Sequence, residues 1–127
     1  GYFEWEKSQE KRSPYYLHNS NKKIMALAGL WTSIESEHGK VDSYVIVTTQ
    51  ASKHIEHIHN RMPLIIDDDK IDIWLDINDK NDEKLMDLKS NRSLSYYPVS
   101  SFVNHSKNNS KKCIQPLQKE ETLNLFQ

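Results

Sequence analysis

The sequence is poor in cysteine and in long apolar runs, and each shortage excludes a class of protein. Its 127 residues include one cysteine, Cys113, which cannot form a disulfide within the chain. Nothing argues for an oxidising compartment, so an intracellular protein is expected. No apolar run approaches the roughly 18 residues that a membrane span needs. The sequence also opens without a charged and then apolar leader, so neither a membrane anchor nor a secretory signal is expected.

The chain also lacks an excess of charge of either sign, yet its charges are unevenly distributed. The net charge is -1, but residues 67–87 hold nine acidic residues against three lysines. Residues 103–117 hold Lys107, Lys111 and Lys112 and no acid. The acidic stretch is interpreted as solvated surface. The lysines stand among Asn and Ser donors, a composition that suits phosphate oxygens, so one locally positive face is predicted.

Length and residue pattern predict one folded domain of the α+β class, mainly antiparallel β with short helices. A chain of 127 residues with 36% hydrophobic content can bury a single core. Strands are predicted over residues 2–5, 14–17, 24–31, 43–49, 64–66 and 94–99, with the apolar run 24–31 interpreted as a buried strand. Helices are predicted over residues 51–58, 67–75 and 82–88. Residues 6–13 are predicted to form a hairpin loop, and the chain to turn at residues 38–39.

The opening stretch GYFEW places one carboxylate among aromatic residues. Strand alternation puts Tyr2 and Glu4 on one face and Phe3 and Trp5 on the other. A carboxylate in such surroundings suits general acid catalysis. The alternative is that Glu4 faces solvent on an edge strand, because glutamate is rarely buried.

Three histidines, His54, His57 and His59, precede Pro63 and suggest two kinds of site. Two histidines three residues apart can share a helix face and bind zinc, but a structural zinc site needs four ligands and a catalytic one needs three. No second cluster of ligands stands at suitable spacing, so no metal is predicted. One functional histidine in the turn before Pro63 is favoured, because imidazole titrates near neutrality and loops present catalytic groups.

Several stretches, taken in order, resemble the SOS-response-associated peptidase (SRAP) family. They are GYFEW, AGLW, a strand ending in Thr, IHNRMP, YYPVSSFVNHSKNNS and CIQPL. The resemblance implies a fold with a β-barrel-type core, of which residues 1–117 form the C-terminal part and residues 118–127 a tail. Family members begin with Met-Cys, so the N-terminal half of the domain is expected to be missing from this chain.

The resemblance also implies a function in DNA repair. Members bind single-stranded DNA, and the cysteine exposed by removal of the initiator methionine forms a thiazolidine crosslink with the aldehyde of an abasic site. Glu4 and His59 match the catalytic residues of the family. The matched DNA-binding residues are Trp5, Thr48, Arg61, Asn104, Lys107 and Asn108. The resemblance implies no cofactor.

Without the cysteine, this chain alone is expected not to crosslink abasic DNA. Cys113 is no substitute, because an internal cysteine offers a thiol without an α-amine. The expected partners are single-stranded DNA with abasic sites and the missing half of the domain, and the expected state is a monomer in the nucleus of a eukaryote or the cytoplasm of a bacterium. The alternative function is a module that binds single-stranded DNA or a protein without chemistry, and a metal-dependent hydrolase is a distant third.

Overall fold

The computed structural model of the chain describes residues 1–7, 12–21, 23–76, 78 and 93–118. They group into two compact units, each assembled from segments that are distant along the chain. The first unit takes its residues from Gly1–Ile24, Ala51–Asn60 and Ser93–Gln127, and the second from Met25–Gln50 and Arg61–Arg92. The predicted helix 82–88 and all but the first residue of the predicted tail lie outside the described residues.

Short strands make up most of the described structure, and helices are few and short. In chain order the strands are β1 (Tyr2–Lys7), β2 (Arg12–Asn19), β3 (Ala26–Leu27), β4 (Gly29–Ser36), β5 (Gly39–Ile46), β6 (Thr48–Gln50), β7 (Arg61–Pro63), β8 (Ile65–Ile66) and β9 (Leu94–Pro98). One short α-helix, α1 (Ile71–Leu75), follows a 3-10 turn at Asp68–Lys70, as predicted for residues 67–75. Two further 3-10 helices lie at Ser101–Asn104 and Lys111–Ile114.

The first unit is built on an antiparallel sheet in the order β1-β2-β9, so β2 is its central strand. Pro14 lies inside β2, opposite Trp5 of β1. The Pro14 carbonyl accepts a hydrogen bond from the Val99 N–H at 3.0 Å. The N–H and C=O groups of one strand residue point to the same side of the strand. The N–H that proline lacks would therefore face the end of β9, and its absence does not disturb the pairing of Pro14 with β1. Residues 6–13 were predicted to form a loop, but β1 extends into this range as far as Lys7 and β2 begins within it at Arg12.

The core of the first unit lies between the sheet and the segment Ala51–Asn60. Leu17 on the central strand is 1% exposed, and Val99, which follows β9, is completely buried. Ile55 and Ile58 bring the apolar side of the segment into this core. The sheet and the segment thus share one apolar interior.

Residues 51–58 form successive turns, so the prediction of a helix there is wrong. The N–H groups of Ile55 and Glu56 both donate to the Ser52 carbonyl, and those of Ile58 and His59 both donate to the Ile55 carbonyl. Each turn closes on its own, and neither is propagated into an α-helix. Burial of Ile55 and Ile58 stabilises the turns where helix propensity alone does not.

Three short sheets meet at one point in the second unit. They pair β3 with β8, β4 with β5 and β6 with β7, all antiparallel. Ala28, Val47 and Leu64 lie between consecutive strands and form a cycle of hydrogen bonds. Ala28 N–H donates to Leu64 O at 2.8 Å, Leu64 N–H to Val47 O at 2.8 Å, and Val47 N–H to Ala28 O at 2.9 Å. This cycle divides the predicted strands 24–31 and 43–49 into two pieces each.

Residues 24–31 were predicted to form a buried strand. This prediction is wrong, because only the centre of the run is enclosed. Ala28 is completely buried, whereas Ile24 is 92% and Trp31 is 75% exposed. The run ends in a hairpin of β4 and β5, which turns through Gly39 with φ of 106°. That left-handed value favours glycine over residues with a Cβ atom.

The four antiparallel sheets and few short helices confirm the predicted α+β class with mainly antiparallel strands. Among the described strands, hydrogen bonding gives sheets of two or three strands and no continuous ring, so the barrel-type core stays a prediction. Within the described ranges, no helix has the length and apolar character needed to cross a membrane.

Candidate catalytic and nucleic-acid binding site

Strand β1 presents Glu4 and Trp5 to opposite faces of the first unit's sheet. Glu4 lies opposite Tyr15, and Trp5 lies opposite Pro14. Both side chains are half-buried. Successive strand residues point to opposite faces, so this one strand can serve two surfaces.

The Glu4 carboxylate lies at the open edge of β1. Its Oε1 accepts a hydrogen bond from the Trp5 N–H at 3.1 Å. Because β1 is the outer strand of its sheet, that N–H has no neighbour on its outer side among the described strands. Glu4 is therefore a half-buried carboxylate on an edge strand, and its role in general acid catalysis stays a prediction.

Two tyrosines, half-buried Tyr2 and buried Tyr15, share the face of the sheet that carries Glu4. The Tyr2 hydroxyl is buried and has no hydrogen-bond partner among the described residues. Burial and, to a smaller degree, the charge of Glu4 raise the pKa of Tyr2 to about 12. Burial followed by the charge of Glu6 raises the pKa of Tyr15 to about 12, and the Tyr15 hydroxyl donates to Glu6 Oε2 at 3.3 Å. The phenol groups of Tyr2 and Tyr15 therefore share this face with the carboxylates of Glu4 and Glu6.

The raised pKa values of Tyr2 and Tyr15 lead us to expect that the folded chain loses stability at high pH. Because the folded pKa of Tyr2 and Tyr15 lies above the ordinary value of 10.0, their contribution is complete below pH 10 and is lost as the pH rises toward about 12. Ultraviolet titration of tyrosinate should show a late step, and Tyr2→Phe and Tyr15→Phe should each remove one group from it. A late step of unchanged amplitude in both variants would contradict the assignment.

Cross-strand pairing extends the Glu4 face across the whole sheet. Tyr2 pairs with Leu17 on β2, and Leu17 pairs with Tyr96 on β9. Directly opposite residues of antiparallel strands share a face. Tyr96 therefore lies on the same side of the sheet as Glu4.

The histidine-bearing segment lies over this same face. The Tyr96 ring is 5.1 Å from the His54 ring and 5.4 Å from the His57 ring, measured between centroids. His59, two residues after His57, is half-buried, and its N–H donates to the Ile55 carbonyl at 3.3 Å. Glu4 and His59 thus belong to one unit, and the segment that carries His59 contacts the face that carries Glu4. Their joint action in catalysis stays a prediction.

Trp5 is oriented by a residue from the other end of the chain. Its Nε1–H donates to Asn104 Oδ1 at 2.7 Å, across 99 positions of sequence. The Phe3 ring lies beside it, with centroids 6.5 Å apart and planes tilted by 52°. The indole is thus held at its edge while it stays half-buried.

A cavity of about 480 Å³ lies beside Trp5 in the first unit. Phe3 and Trp5 form its aromatic wall, and the opposite wall is the polar loop from Val103 to Ile114. Amide, hydroxyl and ammonium groups of Asn108, Ser110 and Lys111 are among its lining. Aromatic rings facing hydrogen-bond donors are the combination that single-stranded nucleic acids require.

Hydrogen bonds within the loop fix its shape. The Asn108 side chain donates from Nδ2 to the Phe102 carbonyl at 2.6 Å. The Lys107 N–H donates to His105 Nδ1 at 3.3 Å. The Cys113 thiol is buried and donates to the Asn108 carbonyl at 3.5 Å. Asn108 therefore closes the loop on itself, while Lys107 is exposed on its surface.

Removal of the Asn104 acceptor should release the Trp5 indole. Asn104→Leu should remove a hydrogen bond worth about 1 kcal/mol. The Trp5 Nε1–H resonance should shift toward its position in free tryptophan, while those of Trp31 and Trp74 stay unchanged. Asn104→Asp retains an acceptor oxygen and serves as the matched control. An unchanged Trp5 resonance in the leucine variant would contradict this role.

Thr48 and Arg61 form a clamp in the second unit. They lie on the paired strands β6 and β7. The Arg61 guanidinium donates from Nε to Thr48 Oγ1 at 3.2 Å, and from Nη2 to the Thr48 carbonyl at 2.6 Å and to Oγ1 at 2.9 Å. Thr48 thereby orients an exposed cation, and an oriented guanidinium suits phosphate.

The structure brings most of the predicted site residues into one unit. Glu4, His59, Trp5, Asn104, Lys107 and Asn108 lie in the first unit, and Thr48 and Arg61 lie in the second. Their assignment to catalysis and DNA binding stays a prediction. The hydrogen bonds show in addition that Asn104 binds the Trp5 indole, Asn108 binds the Phe102 carbonyl and Thr48 binds the Arg61 guanidinium.

The Trp5 face also carries an aromatic row that the sequence did not reveal. Its further members are Phe3, Tyr16, His18 and Tyr97, which lie on three strands. The alternation of Tyr16 and His18 within β2 was a signal, but only the register of the strands shows that their rings meet.

A metal site finds no support in this part of the fold. Within the described ranges, no three His, Cys, Asp or Glu side chains are placed to hold one ion. His54 and His57 contact Tyr96, and they lie on turns, so the helix face that suggested zinc does not form.

The fold and site define a mainly antiparallel β protein with a carboxylate and an aromatic, donor-lined cavity on one edge strand. A family model described as SOS response associated peptidase (SRAP) matches residues 1–106. The chain therefore belongs to the SRAP family.

Curated relatives carry names that refer to the processing of abasic sites. The chain is 28% identical to "Abasic site processing protein HMCES" of Xenopus tropicalis, over 90% of this chain and 40% of the relative. It is 29% identical to the protein of the same name from Gallus gallus, over 93% and 42%. It is 25% identical to "Abasic site processing protein YedK" of Escherichia coli, over 92% and 54%. The chain thus spans about half the length of these relatives, or less.

Solved structures agree on the fold. A protein from Bacteroides thetaiotaomicron matches with a TM-score of 0.81 at 22% identity, over 93% of this chain and 54% of the other. A protein from Bordetella bronchiseptica matches with a TM-score of 0.65 at 21% identity.

Proposed function

We propose that the chain is part of a protein that binds single-stranded DNA and processes abasic sites in it. Membership of the SRAP family and the names of the curated relatives support this proposal. The observation that carries it is the Trp5 indole, which lines a donor-rich cavity on one face of an edge strand, while the adjacent residue Glu4 lies on the opposite face of the same strand. An indole can stack on a base, and the loop donors can hold phosphates.

The proposed chemistry is condensation of a cysteine with the sugar of the lesion. The deoxyribose of an abasic site opens to an aldehyde, and the cysteine amine attacks the aldehyde carbon. Water leaves as the imine forms. The thiol sulfur then adds to the same carbon, and its proton ends on the nitrogen, which completes a thiazolidine. Glu4 and His59 would move the protons in these steps, because a carboxylate and an imidazole suit general acid and base catalysis.

The reacting cysteine must come from elsewhere than the described residues. Cys113 is internal and buried, and it has no α-amine to close the ring. We infer that the cysteine, and the initiator methionine that family members remove from it, belong to the part of the SRAP fold that this chain does not span. The remainder of the fold is thus the proposed partner of this chain.

The β4–β5 hairpin offers a surface for that partner. Leu30 pairs with Val45 and Ile34 pairs with Val41, so all four apolar side chains share one face. Each of the four is more than half exposed, and Leu30 is 58% exposed. A two-stranded hairpin is marginally stable unless such a face is covered. Amide hydrogen exchange should slow in β4 and β5 when the rest of the fold is supplied, whereas a concentration-dependent slowing in the chain alone would indicate self-association.

The function can be tested with DNA that carries one abasic site. The chain is combined with the rest of its SRAP domain, incubated with the single strand and analysed on a denaturing gel. The expected result is a covalent species that forms on abasic DNA and not on the intact strand. Reversible binding to both strands with no covalent species would favour the alternative, a binding module without chemistry.

A further inference from the structure

Five rings form a continuous row across the Trp5 face of the three-stranded sheet. Centroids are 6.5 Å apart from Trp5 to Phe3, 5.4 Å from Phe3 to Tyr16 and 5.7 Å from Tyr16 to Tyr97. His18 closes the row at 5.7 Å from Tyr16 and 5.6 Å from Tyr97. All five rings are half-buried, so each keeps part of its surface exposed.

A second cavity lies at the far end of this row. It measures about 390 Å³ and is lined by the rings of Tyr16, His18 and Tyr97 together with Lys23. The first cavity, beside Phe3 and Trp5, measures about 480 Å³. Both volumes fall within the roughly 300–1,000 Å³ of ordinary ligand sites. Each can therefore admit a base with its sugar, and the Phe3–Tyr16 contact connects them.

The second cavity also presents acceptors and a cation. His18 donates from Nδ1 to the Asn19 carbonyl at 2.9 Å, which leaves Nε2 as an acceptor in the neutral ring. The Tyr97 hydroxyl donates to the Ile114 carbonyl at 2.8 Å, so its oxygen can still accept. Lys23 is exposed. Acceptors suit the N–H groups of a base, and the ammonium suits its phosphate.

Charge is divided between the two faces of the sheet. The carboxylates Glu4 and Glu6 lie on the opposite face, because they pair with Tyr15 and Ser13. Among the described sheet positions, none on the face of the row is acidic, and Arg12 belongs to that face. A polyanionic strand would thus meet rings and cations on one face and carboxylates on the other.

We propose that the row is the path of a single DNA strand and that Tyr16, His18, Tyr97 and Lys23 form a second base-binding subsite beyond Trp5. The proposal rests on the function proposed above and extends it along the strand. The ring centroids lie farther apart than the ~3.4 Å between successive nucleotides of a duplex strand. Neighbouring bases on this path would therefore stack on the protein rings and not on each other. The occupant is a nucleotide next to the one held at Trp5.

The test uses the full chain and a twelve-residue oligothymidylate, with binding followed by fluorescence anisotropy and by quenching of tryptophan emission. Tyr97→Leu should weaken binding roughly 5- to 100-fold, because stacking on the ring is lost. The quenching that Trp5 shows at saturation should persist. Tyr97→Phe should bind more tightly than Tyr97→Leu, since it keeps the ring for stacking and loses only the acceptor oxygen of the hydroxyl. Tyr44→Leu, which removes an exposed tyrosine of the second unit, is the matched control.

Lys23→Gln provides a second reading that a packing defect at Tyr97 cannot imitate. It should lower the slope of log affinity against log salt by about 0.7, the value for one phosphate contact on a single strand. Wild-type affinity in Tyr97→Leu and a wild-type slope in Lys23→Gln, with weaker binding only in Trp5→Leu, would overturn the subsite and leave the proposed function standing. Absence of binding by the unaltered chain, both alone and combined with the rest of its SRAP domain, would overturn both.

Discussion

Replacement of Glu4 or His59 by glutamine should slow formation of the proposed abasic-site crosslink by roughly 10²- to 10⁴-fold, the range for loss of a general acid or base. Glutamine keeps the size of the Glu4 side chain and its acceptor oxygen for the Trp5 N–H, but it cannot transfer a proton. Affinity for the intact single strand should change little, because neither side chain belongs to the proposed stacking and phosphate contacts. The measurement is the rate of covalent product formation with the rest of the domain supplied.

The chain contains matched controls for both substitutions. Glu6 lies on the same strand and face as Glu4, and Glu6→Gln removes the same charge. His57 lies on the same turn segment as His59, and His57→Gln removes the same ring. Both controls should crosslink at the wild-type rate. If they slow the reaction as much as Glu4→Gln and His59→Gln do, the effect belongs to the general charge or packing of the face, and the catalytic assignment fails.

Leu17→Ala should lower the free energy of unfolding by about 2–5 kcal/mol, the cost of a buried leucine and its cavity. Leu17 is 1% exposed on the central strand, between the two outer strands of the sheet. Domains are stable by only about 5–15 kcal/mol, so this loss is a large part of the whole. Urea denaturation followed by circular dichroism would measure it.

Leu30→Ala is the same chemical change at an exposed position. Leu30 lies on the open hairpin β4–β5, and its truncation should cost less than about 0.5 kcal/mol in the chain alone. With the rest of the fold supplied, its cost should rise, because the proposed partner covers that face. Equal costs for Leu17→Ala and Leu30→Ala in the chain alone would contradict the description of the core.

The strands were predictable because their signal is local. Alternation in residues 2–5 and 94–99 and β-branched residues in 43–49 indicate strands without knowledge of the partners, and the structure has strands there. Residues 24–31 and 51–58 were misjudged because their structure depends on distant groups. The hydrogen-bond cycle at Ala28 breaks the first, and burial of Ile55 and Ile58 stabilises turns in the second.

The residues of the site could be predicted from the sequence, but the contacts between them could not. The SRAP resemblance pointed to Trp5, Asn104, Thr48 and Arg61, and to a shared role in DNA binding. It did not show that Asn104 orients Trp5 across 99 positions, or that Thr48 holds Arg61. Such pairs depend on the register of strands and the path of loops, which no single sequence states. The aromatic row was missed for the same reason.

The central claim is that Glu4 and His59 act on the same sugar. A double-mutant cycle of crosslinking rates with Glu4→Gln, His59→Gln and the combined variant tests it most directly, since groups that act as a unit are not additive. If the two residues act as a unit, the combined variant should be scarcely slower than the slower single variant. Independent, multiplied losses would contradict it.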